Sequence, residues 1–90
     1  DAICFRNNLL RIHDLKTGDT KASFRQLEIY AALFCLEYEI NPFTIQIELR
    51  IYQFDEAIIY NADPDEIFHI MDKIISFDKR IDQIKLEADL

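Results

Sequence analysis

The chain of 90 residues has one glycine, Gly18, two cysteines, and no apolar run free of charges over a bilayer's thickness. Charges interrupt every such run, which excludes a membrane-spanning helix, and no secretory signal is recognisable. No internal repeat or low-complexity stretch is present either. Cys4 and Cys35 are enough for one disulfide, but without a secretory context they read as reduced thiols in a cytoplasmic protein, one on a strand and one on a helix. Positive charge is also scarce. Ten Lys and Arg stand against seventeen Asp and Glu, a formal net charge of −7. That balance argues against nonspecific nucleic-acid binding through overall charge. It leaves room for local chemistry, because Arg11, Lys16, Lys21 and Arg25 cluster in the first third while the acidic excess lies largely in the last. The length suits one small domain or a piece of one. With no initiator Met and a candidate site at its first residue, the chain is expected to be a partial domain.

Half of the residues are hydrophobic, and their spacing predicts the elements. Asn7-Asn8 is a two-residue turn, since Asn tolerates the positive φ angles of tight hairpins. That turn pairs Arg6 with Leu9, Phe5 with Leu10, Ile3 with Ile12 and Asp1 with Asp14, making residues 1–16 one hairpin. Thr17-Gly18-Asp19-Thr20 reads as a polar loop. A helix is predicted over 23–38, with Ser23 as N-cap, Gln26 completing a capping box and Asn41-Pro42 ending it. It is apolar nearly all round, which predicts burial between layers. Residues 44–61 read as a second hairpin turning at Asp55-Glu56. On its first strand Ile45, Ile47, Leu49 and Ile51 take one face, and Gln46, Glu48, Arg50 and Tyr52 take the other, solvated or covered. Asp63-Pro64-Asp65-Glu66 starts a helix over 64–86 with an Asp N-cap, Pro at N1 and acids in the first turn. Along it Ile67, Ile70, Ile74, Phe77, Ile81 and Ile84 form a narrow seam that reads as core packing. The order β-β-α-β-β-α predicts an α/β fold, a mixed sheet with packed helices.

Alternation puts Asp1, Ile3, Phe5, Leu10, Ile12, Asp14 and Lys16 on one face of the first hairpin. Two facing carboxylates repel, by a few tenths to about 1 kcal/mol. A hard divalent cation between them turns that repulsion into a site, and the Lys16 ammonium nearby can hold a water. Taken alone, the three residues read equally well as a solvated strand pair with an ordinary Asp–Lys contact. His13 falls on the opposite face, His69 lacks a second ligand one turn on, and Asp78-Lys79-Arg80 reads as a solvated helix face.

Asp1, Asp14-Leu15-Lys16-Thr17-Gly18 and Gln26-Leu27-Glu28-Ile29-Tyr30 together resemble the RecB-like branch of the PD-(D/E)XK nuclease superfamily. There a metal-binding Asp on one strand precedes a D/E-x-K motif on the next and a Gln-x-x-x-Tyr motif on a helix. The motifs cover the first third of the chain. The resemblance implies a restriction-endonuclease-like core whose upstream helix and strand this chain does not include, and a further acidic or His ligand from the rest of the parent protein. It implies that Asp1, Asp14 and the Leu15 carbonyl hold Mg²⁺ or Mn²⁺, that Lys16 orients water or stabilises charge on phosphate, and that Gln26 and Tyr30 order the site and contact DNA. Relatives with an iron–sulfur cluster, including CRISPR-adaptation nucleases, use four cysteines, so no cluster is assigned.

The implied activity is magnesium-dependent hydrolysis of DNA phosphodiesters, by an exonuclease or endonuclease of bacterial or phage recombination and repair. One competing reading is a nuclease-like module that binds DNA or protein after losing catalysis. Another is a structural domain that forms an oligomer through its C-terminal helix. The 90-residue piece alone is expected to be inactive or poorly folded, because Ile3, Phe5, Leu10 and Ile12 need cover.

Overall fold

The computed structural model describes residues 2–16 and 23–88, with 81–88 described by helical backbone alone. Its elements are β1 (Ala2–Arg6), β2 (Leu9–Leu15), α1 (Phe24–Glu37), a 3-10 turn (Pro42–Thr44), β3 (Gln46–Gln53), β4 (Glu56–Asn61) and α2 (Pro64–Ala88). They build an α/β fold, a four-stranded mixed sheet ordered β1-β2-β3-β4.

Asn7 and Asn8 sit at φ 54° and 63°, the left-handed pair that a type I′ hairpin turn requires. The turn sets the expected register, Arg6 with Leu9, Phe5 with Leu10 and Ile3 with Ile12. The second hairpin differs by one residue from expectation. Phe54 and Asp55 occupy its two turn positions at φ 54° and 61°, and Gln53 pairs with Glu56. A turn at Asp55-Glu56 would have paired Phe54 with Ala57 and slid β4 by two residues along β3, keeping each side chain on its face but changing its partner. Its first strand starts at Gln46 rather than Thr44, because Asn41 Oδ1 accepts from the Phe43 N–H at 2.9 Å and winds Pro42–Thr44 into the 3-10 turn.

Between the two antiparallel hairpins, β2 and β3 run parallel, Leu10 beside Ile47, Ile12 beside Leu49 and Asp14 beside Ile51. The Gln46 N–H donates to the Asn8 carbonyl and the Lys16 N–H to the Tyr52 carbonyl, both at 2.9 Å, so the ladder is closed at each end. Leu10, Ile12, Ile47, Leu49 and Ile51 form a buried row against Leu27, Ala31, Ala32 and Cys35 of α1 and Ile67 and Ile70 of α2. Each fully buried Leu or Ile contributes about 1.5–3 kcal/mol relative to exposure. The first hairpin is thereby covered over Leu10 and Ile12, contrary to the expected lack of cover, and Phe5 meets Phe34 at 5.6 Å. Ile3 and Phe5 stay partly exposed. Helix α1 spans the sheet obliquely, from Phe24 against Tyr60 on β4 to Phe34 against Phe5 on β1.

Helix α1 is not buried all round. Ile29, Leu33 and Tyr38 are exposed, because α1 and α2 lie side by side in one layer and each keeps an outer face. An exposed Arg25–Glu66 bridge of 2.6 Å links them, and solvent screening keeps its contribution to stability small. Asp63 caps α2 as expected, accepting the Asp65 N–H at 2.9 Å. The isoleucine seam is core only at its start. Ile67 and Ile70 are buried and Ile74 is half-buried, but Phe77 is exposed, and Ile81 and Ile84 lie outside the described side chains. At 25 residues α2 is about 37 Å long, and its second half projects, giving a radius of gyration of 15.7 Å where about 12 Å is usual for 90 residues. No described helix is long and apolar enough to cross a membrane.

The end of α1 also departs from expectation. Asn41-Pro42 plays no part in it. The Tyr38 N–H donates to Phe34 and the Ile40 N–H to Cys35, with Glu39 between them at φ 54°. That is a Schellman motif with glutamate where glycine is usual. A Cβ in this conformation is unfavourable, so Glu39→Gly should raise stability by about 0.5–1 kcal/mol. Urea unfolding followed by circular dichroism measures it; an unchanged or lower midpoint contradicts this account of the helix end.

Candidate functional site

Alternation along β2 sends Leu10, Ile12 and Asp14 to the helix side of the sheet, and Asp14 is 5% exposed. The row therefore ends in a carboxylate where packing alone would place hydrocarbon. A buried carboxylate needs a partner, and Lys16 Nζ supplies it at 2.7 Å, itself partly exposed. Both side chains stand on the same face, two residues apart, and the Lys16 backbone is fixed by its bond to Tyr52. Leu15 between them is 70% exposed on the opposite face. The alternation that turns the Lys16 N–H to β3 turns the Leu15 carbonyl to the β1 edge. Asp14 carboxylate and Leu15 carbonyl are hard oxygen donors, the kind Mg²⁺ and Mn²⁺ take, leaving other positions to waters or phosphate.

Asp1, expected opposite Asp14, lies outside the described residues, as do Thr17, Gly18 and Lys21; the described register ends at Ala2 beside His13. Among the described residues no group of three His, Cys, Asp or Glu is gathered to hold a metal ion.

Gln26 and Tyr30 come together one helical turn apart. Gln26 Nε2 donates to Tyr30 Oη at 2.7 Å, so the amide nitrogen is turned forward along α1, away from the expected capping box. Ser23 still caps, accepting the Arg25 N–H at 3.3 Å. Tyr30 leans on the core beside Ile3 and Leu33 in a shallow depression of about 450 Å³. The Gln26–Tyr30 pair and the Asp14–Lys16 pair lie on the same side of the sheet, and each is bonded within itself.

The carboxyl ends of the parallel strands open into a cleft of about 650 Å³ lined by Leu15, Lys16, Phe54, Asp55 and Glu56 among others. In open α/β sheets ligands bind at the carboxyl ends of the strands, and this is the end at which Asp14 and Lys16 stand.

The cluster of basic residues expected near the site is divided. Arg25 is taken by Glu66, and Arg11 points to the other face of the sheet. There Glu48 accepts from Arg11 at 3.1 Å and from Arg50 at 2.7 Å, and Arg50 reaches the Tyr52 hydroxyl at 3.3 Å. Burial pushes the Glu48 carboxyl up, but the hydrogen bonds from Arg50 and Arg11 outweigh it and hold it below the usual range. This network comes from the parallel register, which sets Arg11 beside Glu48 and His13 beside Arg50; opposite charges at alternating positions of the two strands were its signal in the sequence. Both cysteines are free thiols, Cys4 on the exposed face and Cys35 in the core, where burial raises its pKa.

His13 stands on that outer face, its ring 5.7 Å from Tyr52. Desolvation lowers its pKa, the Arg50 and Arg11 charges lower it further, and Glu48 opposes them. A base whose pKa is depressed on folding stabilises the fold while neutral, so this contribution is present above the unfolded value of about 6.5 and fades as pH falls through the folded value. Melting temperature should therefore drop more between pH 7 and pH 5 for the wild type than for His13→Gln. Equal slopes in thermal melts contradict the stated environment of His13.

Compared with family models, with curated proteins and with solved structures, the chain gives no match in any of the three.

Proposed function

We propose that this chain carries the strand-borne half of a metal-dependent DNA nuclease site, in the manner of the RecB-like PD-(D/E)XK enzymes with their restriction-endonuclease-like core. The observation that carries the reading is the buried Asp14 carboxylate, bonded to Lys16 at 2.7 Å at the carboxyl end of the central parallel strands. An ionised pair in an apolar row is a poor choice for stability, since burying charge costs several kcal/mol per ion, about as much as the pairing returns. Its Lys16 end lines a ligand-sized cleft, which gives the pair a use.

In this reading Asp14, the Leu15 carbonyl and Asp1 hold Mg²⁺ or Mn²⁺. The bound ion supplies Lewis acidity toward a phosphoryl oxygen and lowers the pKa of its water. Lys16 Nζ, 2.7 Å from the Asp14 carboxylate, gives that buried group its partner. Lys16, partly exposed to the cleft, can donate to the attacking water or to the oxygens of the phosphate as negative charge builds there. Gln26 and Tyr30, locked to each other, present a rigid polar edge for the DNA strand on the same side of the sheet. Only local charge serves the substrate, in keeping with a net charge of −7.

A second reading, a nuclease-like module that binds DNA or protein without cleaving it, is favoured by one observation: among the described residues Asp14 has no carboxylate or His neighbours completing a metal set. Cleavage assays with Mg²⁺ or Mn²⁺ on labelled single- and double-stranded DNA separate the two. Asp14→Asn should reduce turnover at least about a hundredfold with an unchanged circular dichroism spectrum. Undiminished cleavage by that variant removes the nuclease assignment, and a wild type that binds DNA but never cleaves it establishes the second reading. Lys16→Ala should lower kcat by about 10²–10³-fold while calorimetry finds Mn²⁺ affinity retained, because an ammonium repels the cation. Lost metal affinity with no separate effect on kcat assigns Lys16 a purely structural role.

A further inference from the structure

The tip of the β3–β4 hairpin carries a residue that hairpin chemistry does not choose. Phe54 takes the first turn position at φ 54°, and its ring is 69% exposed. Asn, Asp and Gly are the residues that reach this conformation at little cost, as Asn7 and Asn8 do in the first hairpin. A bulky aromatic there is an outlier, and it gives up burial as well as backbone comfort. Backbone outliers of this kind concentrate where a ligand is gripped.

The position of Phe54 names the ligand. Its ring lines the cleft at the carboxyl ends of the parallel strands together with Lys16. The cleft is electrically polar. Lys16 stands on its β2 side, Asp55 and Glu56 on its β4 side. A phosphate is drawn to the first and repelled by the second, so a strand entering the cleft keeps its backbone beside Lys16 and turns a base toward the hairpin tip. Carboxylates on that side accept hydrogen bonds from base amino groups but exclude phosphate. Stacking on an aromatic ring is tolerant of sequence because every base has a π-face. Paired bases in a duplex are stacked on their neighbours and offer no face to Phe54, so the ligand is single-stranded.

We propose that Phe54 is a base-stacking residue that positions a single DNA strand, seating one unpaired base on its ring while Lys16 holds the adjoining phosphate. The proposal rests on the nuclease reading of Asp14 and Lys16 for its purpose, but its binding step stands apart from cleavage and is measured separately.

The test uses a single-stranded oligonucleotide carrying 2-aminopurine, whose fluorescence falls on stacking, with Ca²⁺ replacing Mg²⁺ so that the strand stays intact. The wild-type chain should quench the probe, and Phe54→Trp should quench it at least as strongly. Phe54→Gly, which suits the turn and so preserves the hairpin, should abolish the quench and weaken binding of the strand about tenfold. Binding of a blunt duplex should be the same in all three. Equal quenching by wild type and Phe54→Gly overturns the proposal, as does an effect of Phe54→Gly confined to self-association in sedimentation. A wild type that quenches the probe yet cleaves no DNA with Mg²⁺ or Mn²⁺ upholds the stacking role and removes the nuclease reading. A wild type that cleaves but does not depend on Phe54 for strand binding upholds the nuclease reading and removes the stacking role. Neither binding nor cleavage removes both.

Discussion

The parallel pairing of β2 with β3 is the constraint on which the rest of this molecule depends. Parallel strands cannot be joined by a tight turn, so the chain must leave the sheet after Lys16, cross it and re-enter at Gln46. Helix α1 is that crossing, and its buried stripe of Leu27, Ala31, Ala32 and Cys35 is what binds it to the sheet. The two hairpins then add one antiparallel strand on each side, β1 through Asn7-Asn8 and β4 through Phe54-Asp55. Because β2 and β3 point the same way, their carboxyl ends lie together. Asp14, Lys16 and the hairpin tip meet at one edge of the sheet for that reason alone.

The same geometry separates two sets of charges. On the helix side Asp14 and Lys16 form a closed pair at the end of an apolar row. On the outer side Arg11, Glu48, Arg50, Tyr52 and His13 form an extended network in partial contact with water. The two differ in what they can do for the fold. The outer network satisfies polar groups that a half-covered sheet face would carry in any case. The inner pair replaces packing that Leu10 and Ile12 show to be available, and a break in local consistency of this kind is where function concentrates.

Much of this was legible in the sequence because it is local. Asn7-Asn8 specifies both a turn and a register, and register decides which residues share a face, so the common face of Asp14 and Lys16 followed from alternation. Ser23 and Asp63-Pro64 announced their helices through the bonds their side chains make. What was not legible depended on partners distant in the chain or on residues acting against their preferences. Nothing in Leu9–Leu15 or Gln46–Gln53 distinguishes a parallel from an antiparallel neighbour, so the opposite charges on the two strands did not by themselves pair Arg11 with Glu48, whereas the Arg50–Glu48 contact, two residues apart on one strand face, is local. Glu39 and Phe54 adopt left-handed backbone against their propensity, which moved the end of α1 and the second turn away from Asn41-Pro42 and Asp55-Glu56. The exposed outer face of α1 reflects a single helical layer, a fact of architecture that an apolar composition cannot reveal.

The central claim is that the edge formed by Asp14, Leu15 and Lys16 is built to receive a divalent cation. Titration of the isotope-labelled protein with Mn²⁺ tests it most directly, since a bound paramagnetic ion broadens amide signals in proportion to proximity. The account predicts selective broadening at Asp14, Leu15 and Lys16, with the neighbouring His13 and its partner Ala2 next, at Mn²⁺ concentrations that leave the acidic first turn of α2 unaffected, and its disappearance in Asp14→Asn. Broadening centred on Asp63, Asp65 and Glu66, or spread evenly over the acidic surface, would contradict it.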